Sequence, residues 1–260
     1  MPSNNRGSWG SIAAYFYTLQ LDPLSLAWEY LRRNSDYQRD FSKTALKAGG
    51  ADPQCWGLKA WADPKQDARE LEPSWLLCNS PLRVGRIAPR ASLPTLDVWR
   101  MPGEKTLWHD GEHLHFKVKV AGQLCRVRLS KDVGQDDCFG VSILAGPGFG
   151  ARARAAQKLR ALLDPVARQA VADKPHRPSP RAIMHMLILQ ALDGEAVGAS
   201  RRDIARAVFG AFTNREWGAD SVWRLRVRYL IQRGRALSAH GYRRMIAAAH
   251  GAPLSHSPMP

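Results

Sequence analysis

Residues 113–129 read HLHFKVKVAGQLCRVRL, and this stretch decides the fold class of the chain. Apolar and polar residues alternate on both sides of Ala121-Gly122, which predicts two antiparallel strands joined by a two-residue turn. That turn places three apolar residues of each strand opposite one another: Leu114 and Leu129, Phe116 and Val127, Val118 and Cys125. Residues 139–145 predict a further strand of a small antiparallel sheet.

The polar residues of the same hairpin share one basic face. Its members are His113, His115, Lys117, Lys119, Arg126 and Arg128. The histidines of residues 109–115 suggest a metal ion, but the neighbouring cations repel one, so we predict no metal site. The crowded charge favours a hydrated face and leaves open a second contact to DNA or to another domain.

Two short helices precede the hairpin in the sequence. Asp22 suits an N-cap and Pro23 the first helical position. The first helix carries an apolar stripe of Leu24, Ala27, Trp28 and Leu31, and the second, from Ser35, one of Tyr37, Phe41 and Ala45. We predict that this helical hairpin packs against another domain through Trp28, Tyr30, Leu31 and Tyr37. Ligand stacking by Trp28 and Tyr37 is the alternative.

The C-terminal part is predicted to be helical. A helix over about 151–171 ends in a proline-rich linker at 173–180. Further helices are predicted from Pro180 to Leu192, from the capping box at Ser200 to Gly210, from Asp220 to Leu237 and from Tyr242 to Ala249. Residues 51–103 are rich in proline and tryptophan and predict loops with short elements.

Basic residues concentrate in the last part of the chain. The net charge is +15, and residues 151–260 contribute +12 of it, from 19 basic and 7 acidic side chains. Seventeen of these 19 cations are arginines, whose planar guanidinium suits phosphate and guanine. A polyanion is therefore the expected partner of the C-terminal part.

The helix at 200–210, the connection after it and the helix at 220–237 have the order of a helix-turn-helix. On the 220–237 helix, an apolar stripe of Trp223, Val227, Leu230 and Leu237 lies between two basic edges, Arg224, Arg228 and Arg235 on one side and Arg226 and Arg233 on the other. In a DNA groove, Ser221 and Arg224 would reach base edges, and Arg228, Arg235, Arg201 and Arg202 would reach phosphates. The connection of about ten residues is longer than the usual turn.

Both ends of the chain resemble a known family. The stretches GASRRDIARAVFG (198–210), WRLRVRYLIQRGRAL (223–237) and HGYRR (240–244), with Trp217, resemble an extended-turn helix-turn-helix family of proteobacterial mobile elements. AWEYLRRN (27–34), with Asp36 and Tyr37, resembles the partner domain of FseA-type transcriptional activators. The resemblance implies that the basic side of the C-terminal domain binds DNA and that its opposite side holds the N-terminal domain.

Other functions lack their motifs. The loop at 146–150 is neither G-x-G-x-x-G nor a P-loop, and no nucleophile motif, paired-carboxylate pattern or acidic metal cluster is visible, so we expect neither an enzyme nor a cofactor. Four cysteines without a C-x-x-C pair suggest reduced thiols. No apolar run reaches membrane-spanning length and residues 1–10 do not look like a signal peptide, so we expect a cytoplasmic protein without membrane contact.

The sequence thus predicts an α+β fold that is mainly α: a helical hairpin, a small antiparallel sheet and a C-terminal helix-turn-helix-like domain. The expected divisions are 1–50, 51–150, 151–250 and a disordered tail at 251–260. The expected function is a DNA-binding transcriptional activator of excision and conjugative transfer genes on an integrative and conjugative element. Double-stranded DNA is the expected partner, and an antiactivator protein and RNA polymerase are further candidates. The alternative is a protein-binding antiactivator or adaptor that acts without DNA contact.

Overall fold

The structure is a computed structural model. It describes residues 9–45, 51–76, 82–88, 95, 101, 103–109, 113–120, 123–131, 133, 137–143, 145, 149–164, 177–210, 217–218 and 221–250. Contacts divide the chain into two compact units, one of residues 1–76 and 178–246 and the other of residues 77–177 and 247–260. The α+β class with a helical C-terminal region is confirmed.

The first unit begins with helices. A 3-10 helix at Ile12–Gln20 is followed by α1 (Pro23–Leu31), α2 (Ser35–Ala45) and a short 3-10 turn at Pro53–Trp56. The Asp22 carboxylate accepts hydrogen bonds from the backbone N–H groups of Leu24 and Ser25, and Pro23 occupies the first turn. The predicted helical hairpin is therefore confirmed, and the residues predicted for its apolar stripe on α1 are all buried.

The same unit continues with α4 (Pro180–Ala196), α5 (Arg201–Phe209), α6 (Val222–Ala236), a π-helical turn at Leu237–Gly241 and α7 (Tyr242–His250). Serine hydroxyls cap three of these helices, because Ser179, Ser200 and Ser221 each accept a backbone N–H of the first turn. Gly210 ends α5 with a φ of 90°, a conformation that L side chains rarely adopt.

Helix α6 packs directly on α4. Its buried side consists of Val227, Leu230, Ile231 and Gly234. Val227 and Leu230 belong to the predicted apolar stripe, and Ile231 and Gly234 extend it. Trp223, also predicted for the stripe, is half-buried. The closest approach is at Gly234, where an added Cβ would lie 2.5 Å from the Leu192 side chain. On another side of α4, the amide of Gln190 donates to the carbonyl of Trp9, which precedes the first 3-10 helix.

The second unit is a five-stranded sheet with one described helix packed against it. Its elements are β1 (Leu82–Arg86), β2 (Glu104–His109), β3 (Leu114–Val120), β4 (Gln123–Leu129), β5 (Phe139–Ser142) and α3 (Phe149–Leu163). The strand order is β2-β3-β4-β1-β5. Pairing of Leu114 with Leu129, Phe116 with Val127 and Val118 with Cys125 confirms the predicted hairpin register.

The sheet is mixed rather than purely antiparallel, which corrects one detail of the prediction. Strand β1 lies between β4 and β5, parallel to β4 and antiparallel to β5. The proline-rich stretch at 51–103 thus supplies one strand, β1, and the residues between it and the β-hairpin supply another, β2. Periodicity alone indicated neither strand. Leu159 and Leu162 of α3 join the apolar core on one face of the sheet.

Several sequence predictions fall outside the described residues: the tail at 251–260, the turn at 121–122, most of the 173–180 linker and most of the 211–220 connection. The domain divisions at 50, 150 and 250 stay a prediction, while contacts group residues 1–76 with residues 178–246. No helix in the described part of the chain is long and apolar enough to cross a membrane.

Candidate nucleic-acid interface

The solvent side of α6 carries arginines along its length. Arg224, Arg226, Arg228, Arg233 and Arg235 are all exposed, as their positions beside the buried stripe predict. Ser221 is half-buried, and its hydroxyl caps the helix by accepting the N–H of Trp223. The predicted base-contacting and phosphate-contacting residues of α6 therefore belong to one helix with a fixed core-facing side.

Arg235 differs from the other arginines of α6. Its Nε and Nη2 atoms donate to the two carboxylate oxygens of Glu195 on α4, at 2.9 and 2.8 Å. The Arg235 side chain is 68% exposed and that of Glu195 is 30% exposed. Because the guanidinium is already engaged by a carboxylate, Arg235 offers less positive potential to a phosphate than Arg228 does.

Arg226 is positioned by an aromatic ring. Its guanidinium carbon lies 5.1 Å from the centroid of the Trp223 ring, within cation–π range. Trp223 in turn contacts Phe209 at the end of α5, with ring centroids 5.3 Å apart. The contact between these two rings therefore joins the first turn of α6 to the end of α5.

At the start of α5, Arg201 is exposed and Arg202 is half-buried.

An apolar patch lies on the same solvent side of α6, and the sequence analysis missed it. Val222, Leu225 and Tyr229 are 58%, 61% and 54% exposed. They border a groove of about 520 Å³ whose lining is completed by Met184, Leu187, Phe209, Arg226 and Leu230. The sequence signal that could have indicated this patch was the presence of apolar residues at helix positions that periodicity assigns to solvent.

Helix α3 is a second basic element to which the sequence analysis assigned no role. The sequence FGARARAAQKLRALL contains four cations and no acidic residue. Leu159 and Leu162 face the sheet core, while Arg154, Lys158 and Arg160 are exposed. The absence of acidic residues from the helix was the signal that could have indicated an anion-facing surface.

The residues predicted to pack between domains are buried, and Tyr30 contacts α4. The Tyr30 hydroxyl and the His185 Nδ1 atom are 2.8 Å apart. Trp28 and Tyr37 instead pack with residues 51–76: the Trp28 indole donates to the carbonyl of Gln66, and the Tyr37 hydroxyl donates to that of Ala62. Leu31 is fully buried.

A buried charge network lies beside Tyr30. Arg33 forms hydrogen bonds with both Asp193 and Glu29, and Glu29 also accepts from Arg32 and from the backbone N–H of Ala68. Burial would raise the pKa of Glu29, but the attraction of Arg33 and Arg32 outweighs it and lowers that pKa below its usual value. The carboxylate is therefore ionised and joins α1 to the loop that follows α2.

His185 has the opposite electrostatic environment. Burial and the nearby guanidinium groups of Arg181 and Arg233 lower its pKa to about 4. The imidazole is therefore neutral near pH 7, with Nδ1 able to accept from the Tyr30 hydroxyl.

Two family models match this chain. Residues 143–247 match a domain described as a T6SS transcription factor DNA-binding domain. Residues 8–75 match a proteobacterial transcriptional regulator-like domain. No curated protein sequence and no solved structure matches the chain.

These matches support a DNA-binding transcriptional regulator with DNA as its partner. They point to a non-enzymatic regulator, and they do not distinguish the FseA type from other transcription regulators. Helices α3, α4, α5 and α6, with their exposed arginines, all lie within the region matched to the DNA-binding domain. Residues 8–75, which contain the helical hairpin, lie in the regulator-like match.

Proposed function

We propose that this protein is a sequence-specific transcriptional activator that acts in the cytoplasm on excision or conjugative transfer genes of a mobile element. The resemblance of residues 27–37 and 198–244 to FseA-type activators supports the assignment of excision or conjugative transfer genes as the targets. The two regulator-domain matches support the coarser role in transcription. RNA polymerase and an antiactivator protein are the protein partners that this type of activator implies.

The observation that carries the proposal is the arginine-bearing solvent side of α6, inside the region matched to a DNA-binding domain. In the proposed complex α6 enters the major groove as the second helix of a helix-turn-helix with an extended turn. Ser221 and Arg224, near its N-terminus, contact base edges, and Arg226 and Arg233 border the groove. Arg228, Arg201 and Arg202 contact phosphates.

The decisive experiment is titration of promoter fragments with the full chain and with the Arg224→Gln variant. If Arg224 reads a guanine, the variant loses about 1–3 kcal/mol of discrimination between the operator and a fragment with that base pair changed. Arg39→Gln is the matched control, because Arg39 is also exposed but pairs with Asp36 on α2. Equal losses on both fragments would remove the base-reading role.

One observation favours the second candidate function, a protein-binding antiactivator or adaptor. The groove beside Val222, Leu225 and Tyr229 exposes apolar surface, which on soluble proteins often marks a protein interface. Under this alternative the protein co-purifies with a specific acidic partner and does not retard any promoter fragment at about 0.15 M salt. Retardation of the operator fragment at that salt would exclude action without DNA contact.

A further inference from the structure

The apolar patch of α6, formed by Val222, Leu225 and Tyr229, lies opposite the side of the helix that packs in the core. With about 100° between successive residues, these three positions lie about 160–220° around the helix axis from Val227. Val227 is fully buried, whereas each side chain of the patch is more than half exposed. The patch therefore occupies the middle of the solvent side of α6.

Arginines border this apolar patch on both sides. Arg224 and Arg228 lie along one edge of α6, and Arg226 and Arg233 lie along the other. All four side chains are exposed, and the helix sequence VWRLRVRYLIQRGRA contains no acidic residue. The solvent side of α6 is thus apolar along its middle and positively charged along both margins.

This arrangement is the reverse of an ordinary surface helix, in which polar residues lie opposite the buried stripe. A ligand that complements it is apolar at its centre and anionic at both sides. The major groove of duplex DNA has this pattern, because thymine C5-methyl groups lie among the base edges on its floor and phosphates line both of its rims. The groove is also wide enough to admit an α-helix.

The dimensions and the support of the apolar patch also fit the floor of a groove. From Val222 to Tyr229 the helix rises about 10 Å, which is the length of about three base-pair steps. The first turn of α6 is held in place, because the ring centroids of Trp223 and Phe209 are 5.3 Å apart. A supported helix presents its side chains in one orientation, which contacts to individual bases require.

We propose that the apolar patch reads thymines, through contacts of Val222, Leu225 and Tyr229 with C5-methyl groups on the floor of the major groove. The inference rests on the proposed DNA-binding function and deepens it, since it adds a second kind of base contact to that of Arg224. The patch lies within residues 143–247, the region matched to a DNA-binding domain. Duplex DNA is therefore favoured over an acidic helix of a partner protein as the occupant.

The test uses the full chain and a duplex that it selects from a randomised pool of double-stranded oligonucleotides. The selected duplex is synthesised again with single thymines replaced by deoxyuridine, which removes only the C5-methyl group. Loss of one methyl contact should weaken binding about fourfold. Leu225→Ala should weaken binding to the thymine duplex by at least a similar factor. It should also remove the deoxyuridine penalty at the thymine that Leu225 contacts, since that methyl group then has no partner.

Phe16→Ala is the matched control, because Phe16 is also an exposed apolar side chain but lies on the 3-10 helix at Ile12–Gln20. It should bind every duplex like wild type. The salt dependence gives a second readout. Leu225→Ala should keep the wild-type slope of log K against log salt, because it removes no charge, whereas Arg228→Gln should lower that slope by about 0.9. Thermal unfolding of all variants checks that they remain folded.

The outcomes separate this inference from the proposed function. If wild type binds the deoxyuridine duplexes as tightly as the thymine duplex, while Arg224→Gln loses discrimination, the thymine contact is wrong and the α6 assignment stands. If a deoxyuridine penalty persists unchanged in Val222→Ala, Leu225→Ala and Tyr229→Ala, other residues read the methyl groups and the patch does not.

Two further results would overturn the inference. If wild type selects no duplex from the pool, the thymine contact and the proposed function are both wrong. If Leu225→Ala keeps wild-type affinity for the duplex but no longer binds the acidic partner of the second candidate function, the apolar patch is a protein interface.

Discussion

Arg33 at the end of α1 and Asp193 on α4 form a two-pronged ion pair, with both N···O distances 2.8 Å. The two side chains are only 9% and 6% exposed. The Tyr15 hydroxyl donates to the same carboxylate, also at 2.8 Å. Residues that lie 160 positions apart in the chain thus share one buried site, which couples the N-terminal helices to the helices that carry the arginines.

Removal of the Asp193 carboxylate should destabilise the whole first unit. Asp193→Ala leaves Arg33 with Glu29 alone and leaves the Tyr15 hydroxyl without its acceptor. Breaking a buried ion pair typically costs about 3–5 kcal/mol, because the remaining charge stays desolvated. Urea unfolding, followed by circular dichroism, measures the loss of unfolding free energy.

The control for this prediction is the exposed pair of Arg39 and Asp36, whose side chains are 62% and 57% accessible. Asp36→Ala should change the unfolding free energy by at most about 1 kcal/mol. Similar small changes in both variants would show that the Asp193 network does not couple the two segments.

The strand pattern of the hairpin was predictable because its partners are close in sequence and alternate regularly. Leu114 and Leu129 pair as the two-residue turn requires. Strand β1 was not predictable in this way, because its parallel pairing of Leu82 with Val127 joins residues distant in sequence and no local turn fixes it. For that reason Arg83, which pairs with Arg128 of β4, was absent from the predicted basic face.

In the candidate nucleic-acid interface, too, contacts between elements distant in sequence could not be predicted. Helical periodicity was sufficient to predict that Arg224 and Arg228 are exposed and that Val227 and Leu230 are buried, since both follow from one helix. The ion pair of Arg235, by contrast, is formed with Glu195, which lies on a different helix, α4. No spacing rule connects residues on separate helices, so only the packing of α6 on α4 could reveal that pair.

Gly234 is predicted to resist substitution. Alanine is favoured over glycine in a helix by about 1 kcal/mol, yet a Cβ at this position would lie within 2.8 Å of three Leu192 side-chain atoms. Overpacking a core costs about 1–3 kcal/mol, so Gly234→Ala should lower the unfolding free energy. Gln232→Ala, on the exposed side of the same helix, is the control and should be neutral. A stabilised Gly234→Ala would show that α6 and α4 are not in close contact there.

Acid should destabilise the first unit through His185. Its folded-state pKa of about 4 lies below the ordinary 6.5, so the unfolded chain binds the proton more readily. The contribution to stability is complete above pH 6.5 and is lost as the pH falls from there to about 4. At pH 5 the loss should be about 2 kcal/mol. Urea unfolding at pH 7 and pH 5 measures it, and His185→Gln should reduce the difference. An unchanged pH dependence in that variant would assign the acid sensitivity to other groups.

The ion pair of Glu195 with Arg235 is predicted to limit DNA affinity. Glu195→Gln removes the carboxylate that engages Arg235 and leaves a guanidinium free to meet a phosphate. Binding should then tighten about fivefold at 0.15 M salt, and the salt slope should steepen by about 0.9. Arg228→Gln should show the reverse change in full, whereas Arg235→Gln in the wild-type background should show a smaller one. Salt-dependent titration of one promoter fragment with the three variants gives the comparison. If Glu195→Gln weakened binding, the pair would instead hold Arg235 in the orientation that DNA requires.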